Sequence, residues 1–284
     1  MPAQEDSPAF DVLIMQALQE DLGPEDIDIT TQYTINPSHI SKAHIVTRQN
    51  GIVSGLDVAR RVFEIVDPSL ELETNKNNGV GLSAGDILLR VKGSTQSILK
   101  AERTALNFLT HLCGVATQTH AYVESTKHIS AAICCTRKTL PGLRALQKIA
   151  VSHGGGLNHR QGLYDAILIK DNHITAAGGV KEALKLASNN KKEHETIEIE
   201  VDTLDQLQDV IEHGHANIVL LDNFSIEDLK QAVTLCKGRI TTEASGGIDL
   251  HTVKAVAETG VDRISVGALT HSVISVDLGL DFES

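Results

Sequence analysis

Six cationic residues gather between positions 137 and 170: Arg137, Lys138, Arg144, Lys148, Arg160 and Lys170. Only Asp165 opposes them, so this segment is +5 in a chain of formal net charge −12, leaving −17 elsewhere. His153 and His159 add to the island. Arg144 and Lys148 lie one helical turn apart and read as a solvated helix face. Arg137, Lys138, His159, Arg160 and Lys170 instead fall in loops or where predicted strands end. A guanidinium binds a carboxylate or phosphate through two parallel hydrogen bonds. Two or more Arg converging on one pocket therefore suit a small ligand with several such groups.

Acidic and small residues end the remaining strands. In Ile197-Glu198-Ile199-Glu200 the two carboxylates share one face by the period of two. The interior of a barrel is a cheaper place for them than an apolar helix layer. Asp222 closes the next strand. Ser245-Gly246-Gly247 and Val266-Gly267-Ala268 end the last two. Small residues there let backbone N–H groups approach an anion, as late barrel loops often do for phosphate. Ordinary tight turns would use the same glycines. His213-Gly214-His215 reads as a turn, because no Cys or further His stands at ligand spacing. Cys134 and Cys135 read as buried strand filler.

Elements of two kinds must position these residues. The first half predicts helices over 10–22 and 56–66, strands over 43–47, 51–53, 70–73 and 87–91, and a long helix over 98–127 broken near Gly114. From residue 131 short apolar strands alternate with amphipathic helices. The strands are AAICC (131–135), AILIK (166–170), TIEIEV (196–201), NIVLLD (217–222), RITTEAS (239–245) and RISVGA (263–268). Helices are predicted over 143–152, 180–188, 204–212, 225–236 and 250–259, with Ser225 and Asp228 as an N-cap pair. Such β-α units predict a parallel sheet covered by helices. No G-x-G-x-x-G or G-K-[ST] supports a Rossmann or P-loop site. The pattern is that of a (β/α) barrel, incomplete at six strands or borrowing strands from upstream.

Composition narrows the function further. At 284 residues, 41% hydrophobic and 22% charged, the chain can bury a sizeable core and should hold two domains. Aromatics are 3% with no Trp, which disfavours a base-stacking surface. The net charge of −12 disfavours nucleic acid and anionic membranes as partners. The acidic opening MPAQEDSPAF lacks the apolar core of a signal peptide, and no run approaches the ~20 residues of a membrane span. Cys113, Cys134, Cys135 and Cys236 form no C-x-x-C pair and read as reduced thiols, so the expected compartment is the cytoplasm. In that compartment the sequon Asn223-Phe224-Ser225 stays unglycosylated.

Several segments together resemble a known family. They are Glu102-Arg103-Thr104-Ala105-Leu106-Asn107, Thr136-Arg137-Lys138-Thr139, Pro141-Gly142-Leu143-Arg144 and Gly154-Gly155-Gly156-Leu157-Asn158-His159-Arg160. Leu168-Ile169-Lys170-Asp171-Asn172-His173, Leu221-Asp222-Asn223, Glu243-Ala244-Ser245-Gly246-Gly247-Ile248 and Gly260-Val261-Asp262-Arg263-Ile264-Ser265-Val266-Gly267 belong to the same set. They resemble the quinolinate phosphoribosyltransferases, also called nicotinate-nucleotide pyrophosphorylases (carboxylating), from Asp28-Ile29-Thr30-Thr31 to His271. Cys135 and Leu140 depart from the Asp and Thr expected beside the T-R-K-T motif, changes expected to alter packing more than chemistry.

The resemblance implies an α/β chain. An N-terminal α/β (α+β) domain over 1–112, to which 272–284 return, precedes an open, incomplete TIM-like α/β barrel of seven strands over 113–271 that carries the site. It implies transfer of a phosphoribosyl group from phosphoribosyl pyrophosphate to quinolinate with decarboxylation, giving nicotinate mononucleotide, pyrophosphate and CO2 for NAD synthesis. Quinolinate would meet Arg103, Arg137, Lys138, Thr139, His159, Arg160 and Lys170. Phosphoribosyl pyrophosphate would meet Glu200, Asp222, Ser245, Gly246, Gly247, Val266, Gly267, Ala268 and His271. Lys138, Lys170, Glu200 and Asp222 would be catalytic, with Mg2+ at Glu200 and Asp222. A homodimer with Arg103 supplied in trans is implied, and further assembly stays open. Two other readings of the residues remain. One is a Schiff-base aldolase using Lys170, which borohydride trapping would reveal. The other is a non-catalytic barrel that binds a phosphate or dicarboxylate and releases no CO2.

Overall fold

The computed structural model describes residues 10–283. The opening run up to residue 9 lies outside the described residues. The strands are β1 (Ile40–Thr47), β2 (Gly51–Ile52), β3 (Glu71–Thr74), β4 (Gly81–Leu82), β5 (Ile87–Ser94), β6 (Ala132–Cys134), β7 (Ile167–Ile169), β8 (Ile197–Val201), β9 (Ile218–Asp222), β10 (Thr241–Ser245), β11 (Arg263–Ser265) and β12 (Leu278–Phe282). They form two compact units. One gathers the described residues up to Gln118, with Pro141–Gly155 and the residues from Val273. The other holds Thr119–Leu140 and Gly156–Ser272.

The first unit carries an antiparallel sheet in the order β12-β1-β5-β3. Residues 278–282 pair with β1, Leu280 opposite Ile45. Ile45, Leu88, Leu89 and Val91 are buried on this sheet. The helix Leu56–Val66 buries Leu56, Val58, Ala59, Val62 and Phe63, as its period requires. It stops at an extended Asp67 because Pro68 excludes the helical region for the residue before it. A short helix, Ile29–Thr34, escaped the periodicity reading, since six residues show too little of a stripe. Its cap is local: the Asp28 carboxylate accepts from the Thr31 amide at 3.1 Å.

The expected break near Gly114 is absent. One helix runs from Thr95 to Thr126. A Cβ at Gly114 would strike the Ile274 carbonyl and the Val273 side chain, so this glycine admits a close backbone neighbour. The solvated face expected of Arg144 and Lys148 is also corrected. Lys148 is 2% exposed, because the helix Arg144–His153 turns Leu146, Gln147, Lys148, Ala150 and Val151 inward.

The second unit is a parallel sheet in the order β6-β11-β10-β9-β8-β7. Apart from β6 the strands follow chain order, as around a barrel whose seam between β6 and β7 stays open. An isolated parallel bridge between Cys134 and Leu157 extends the β6 edge. Among the described residues this sheet has six strands, one fewer than the seven of the family resemblance, and no upstream strand joins it: β1, β3 and β5 lie in the first unit's sheet, and β2 pairs with β4. On β8, Ile197, Ile199 and Val201 are fully buried between Glu198 and Glu200, so alternation separates the apolar set from the carboxylates. The helix predicted over 250–259 is shorter, Val253–Ala257, and a helix at Asp171–Ala177 follows β7 directly.

Candidate active site

The sheet's strand ends surround a cavity of about 350 Å3 that opens to solvent. Its lining includes Arg137, Lys138, His159, Arg160, Lys170, Glu200, Asp222 and Ser245, along with Thr136, Leu168, Leu220 and Ser265. Residues far apart in sequence meet there because parallel strands all finish on one side of the sheet. Short capped turns hold them still. Thr203 accepts the Gln206 amide at 3.2 Å just after β8, and Ser225 accepts the Asp228 amide at 3.1 Å just after β9.

The cationic wall is crowded. Arg137 Nε is buried and has no hydrogen-bond partner among the described residues. Arg160 donates from Nη1 to the Ala166 carbonyl at 3.3 Å. Burial, and then the neighbouring charge of Arg137, disfavour its cation and lower its pKa. An incoming carboxylate would relieve both effects. Asp165 secures this loop by accepting the amides of Gln161 at 2.6 Å and Gly162 at 2.9 Å.

Across the cavity, Lys170 donates its ammonium to Glu200. Asp222 accepts from the Asn223 side chain at 2.7 Å. Asn223 holds φ at 57°, a left-handed conformation that Asn tolerates better than most residues. Gly246, at φ 101°, leaves room for it, since a Cβ there would lie 2.8 Å from the Asn223 amide nitrogen. Gly267 is similarly constrained: a Cβ would sit 3.1 Å from both Lys138 Cδ and His271 Nε2. His271 and Gly267 therefore flank Lys138 without lining the cavity. Thr139, Gly247, Val266 and Ala268 are likewise outside the lining. Arg103 is an exposed residue of the first unit and takes no part in this cavity.

Glu198 was expected on the inner face beside Glu200, but its pairing with His159 and any role for Glu243 were not read from the sequence. Glu198 and Glu243 are 5% and 0% exposed, and both reach His159. The signal was present: by alternation Glu198 shares the face of Glu200, and Glu243 the face of Ser245. Burial alone would lower the His159 pKa, yet hydrogen bonds to Glu198 and Glu243, reinforced by their charges, raise it to about 9. Glu198 moves upward too, chiefly through its own burial. Of the two departures from the expected motif, Cys135 is buried with its thiol 3.2 Å from Asn158 Oδ1, and Leu140 is 40% exposed.

As for a metal, Glu200 and Asp222 present only oxygen donors, the set a hard cation such as Mg2+ takes. His159, Glu198 and Glu243 also bring ligand atoms within 4.8 Å of one another. That cluster already has a cation beside it, the Arg263 guanidinium 4.0 Å from Glu243.

Family models, relatives and solved structures match over nearly the whole chain. Residues 28–113 match the quinolinate phosphoribosyl transferase N-terminal domain, and residues 115–281 the C-terminal domain. The nicotinate-nucleotide pyrophosphorylase [carboxylating] of Mycobacterium leprae is 43% identical over 94% of this chain and 95% of its own length. Quinolinate phosphoribosyltransferase [decarboxylating] 1b of Nicotiana tabacum is 40% identical over 98% of this chain and 84% of its own. The solved nicotinate-nucleotide pyrophosphorylase from Francisella tularensis superposes with a TM-score of 0.93 at 39% identity, covering 98% of this chain and 97% of that one.

Proposed function

The chain belongs to the quinolinate phosphoribosyltransferase family, and on that premise we propose how its cavity divides between two substrates. Quinolinate rests on the cationic wall and phosphoribosyl pyrophosphate on the acidic and glycine-bearing strand ends. The activity is phosphoribosyl transfer to quinolinate with loss of CO2, a pentosyl transfer in pyridine nucleotide synthesis. The observation that carries the division is the convergence of Arg137, Lys138, Arg160 and Lys170 with Glu200 and Asp222 in one cavity.

Arg137, Lys138, His159, Arg160 and Lys170, with Thr139 beside them, hold the two adjacent carboxylates. This fixes the ring nitrogen toward the ribose. The nitrogen lone pair forms the bond to C1′ as the C1′–O bond to pyrophosphate breaks. Glu200 and Asp222 bind the ribose hydroxyls, and their negative field favours the oxocarbenium-like transition state. Ser245 on the cavity lining, with Gly246, Gly247, Val266, Gly267, Ala268 and His271 in the loops next to it, holds the 5′-phosphate. Glu200 and Asp222 would hold Mg2+, which would supply positive charge against the departing pyrophosphate. The ribosylated ring is a cation. When the C2–carboxylate bond breaks, its electron pair stays on C2 beside the positive nitrogen, CO2 leaves, and C2 takes a proton from water. The protein's part in this last step is to hold the ring oriented.

We place the active unit as a homodimer in which the exposed Arg103 completes the partner's site. We place the enzyme in the cytoplasm, a reading supported by four buried cysteines, none in a disulfide. Among the described residues no helix is long and apolar enough to cross a membrane. The test is to supply quinolinate, phosphoribosyl pyrophosphate and Mg2+ and look for nicotinate mononucleotide. Product from nicotinate in place of quinolinate, at comparable efficiency, would refute the dicarboxylate assignment.

A further inference from the structure

One buried group beneath the cavity takes no part in the chemistry above. Glu198 on β8 and Glu243 on β10 lie two residues before Glu200 and Ser245, on the same strand faces and one pleat deeper. Carboxylates so removed from water are costly unless paired. Glu198 Oε2 lies 3.0 Å from His159 Nε2, and Glu243 Oε1 lies 3.4 Å from the same nitrogen. Glu243 also accepts from the Ser265 hydroxyl, and Arg263 stands 4.0 Å from its other oxygen.

The second ring nitrogen is engaged as well. His159 Nδ1 accepts the backbone amide of Arg160 at 3.0 Å. That contact puts the proton of the neutral ring on Nε2, and an imidazolium also carries one there. In either state Nε2–H donates into the two carboxylates. The ring is thus held between β8 and β10 at the cavity wall in either state, and in its neutral form it also accepts the Arg160 amide. The Glu198 charge does a second job, since it favours the Arg160 cation against burial and against Arg137.

We infer that Glu198 and Glu243 are positioning residues for quinolinate. Acting through His159, they fix the place of its ring in the cavity's cationic wall. This rests on reading the cavity's cationic wall as the quinolinate pocket. Neither carboxylate touches substrate.

The test is a double-mutant cycle on the full enzyme, using Glu243→Leu, His159→Asn and the pair. Glu243→Leu removes an acceptor of a charged, buried bond and should raise the quinolinate KM roughly ten- to a hundredfold. The KM for phosphoribosyl pyrophosphate should stay within about twofold, the spread expected where no contact is lost. In the His159→Asn background the same substitution should add little. Glu243→Gln keeps an oxygen for Nε2–H and should restore most of the loss. Equal effects in both backgrounds, parallel rises in both KM values, or an unchanged quinolinate KM would overturn the inference. If Glu243→Leu fails to fold, Glu198→Leu enters the same cycle with the same expected and overturning results. Nitrogen NMR of the resting enzyme gives an independent readout: His159 should show a protonated Nε2, and a bare Nε2 would overturn the inference. A wild type inactive with quinolinate would instead remove the underlying reading of the pocket, while the NMR result still judges the geometry.

Discussion

Replacing Arg137 with Ala should separate binding from stability. In the ligand-free cavity Arg137 Nε is buried without a hydrogen-bond partner, and its charge opposes that of Arg160. Against bound quinolinate the same guanidinium meets a carboxylate. Truncating one member of a buried, hydrogen-bonded charge pair costs about 2–5 kcal/mol in binding. Relief of the repulsion between the two arginines in the free protein does not offset this, because that repulsion is present before the ligand arrives. Taking about 2–4 kcal/mol, the dissociation constant for quinolinate should rise roughly 30- to 1,000-fold. Stability should move the other way or hardly at all. Removing a like charge stabilises, losing the half-buried stem destabilises, and the sum should fall within about 1 kcal/mol. Calorimetric titration with quinolinate alone reads the first quantity, and denaturant unfolding reads the second. Unchanged quinolinate affinity, or a loss of stability as large as the loss of binding, would refute the reasoning.

Further outcomes follow from the same geometry. Glu200→Gln should mainly lower turnover with phosphoribosyl pyrophosphate; because it also releases Lys170, quinolinate affinity measured alone should hold or rise, and calorimetry showing a large loss would contradict the division of roles. Arg103→Ala and Glu200→Ala should each be nearly inactive. Unfolded and refolded together in equal amounts, they should regain roughly a quarter of wild-type activity, since about half the dimers are hybrids with one intact site each. No recovery on mixing would place Arg103 outside the partner's site. His159 has a folded pKa of about 9, above the usual ~6.5 of histidine. The stabilisation it contributes is therefore complete below pH ~6.5 and lost as pH rises through 9. Thermal scans across that window should show a falling midpoint, with a shallower fall in Glu243→Gln.

Much of the site was legible because strand alternation and strand ends leave local marks. Arg137, Lys138, Arg160, Lys170, Glu200, Asp222 and Ser245 were all placed at strand ends or loops from the sequence, and all line one cavity. The parallel order of the second unit followed from apolar strands alternating with amphipathic helices. Other features depend on distant partners and left no local trace. Lys148 has the spacing of a surface residue, and only the packing of its helix buries it. Gly114 has the look of a helix breaker, and only the backbone at Ile274 shows why a glycine stands there. The link from His159 to Glu198 and Glu243 joins three separate segments. Alternation puts each carboxylate on the inner face, but no spacing in the chain says which cation they meet.

The central claim is that one cavity joins ribose to quinolinate and then releases its C2 carboxylate. It is tested most directly with quinolinate labelled at that carboxylate, counting labelled CO2 against pyrophosphate. One CO2 per pyrophosphate is expected, with none when phosphoribosyl pyrophosphate is omitted. Labelled CO2 released without phosphoribosyl pyrophosphate, or pyrophosphate formed without CO2, would contradict it.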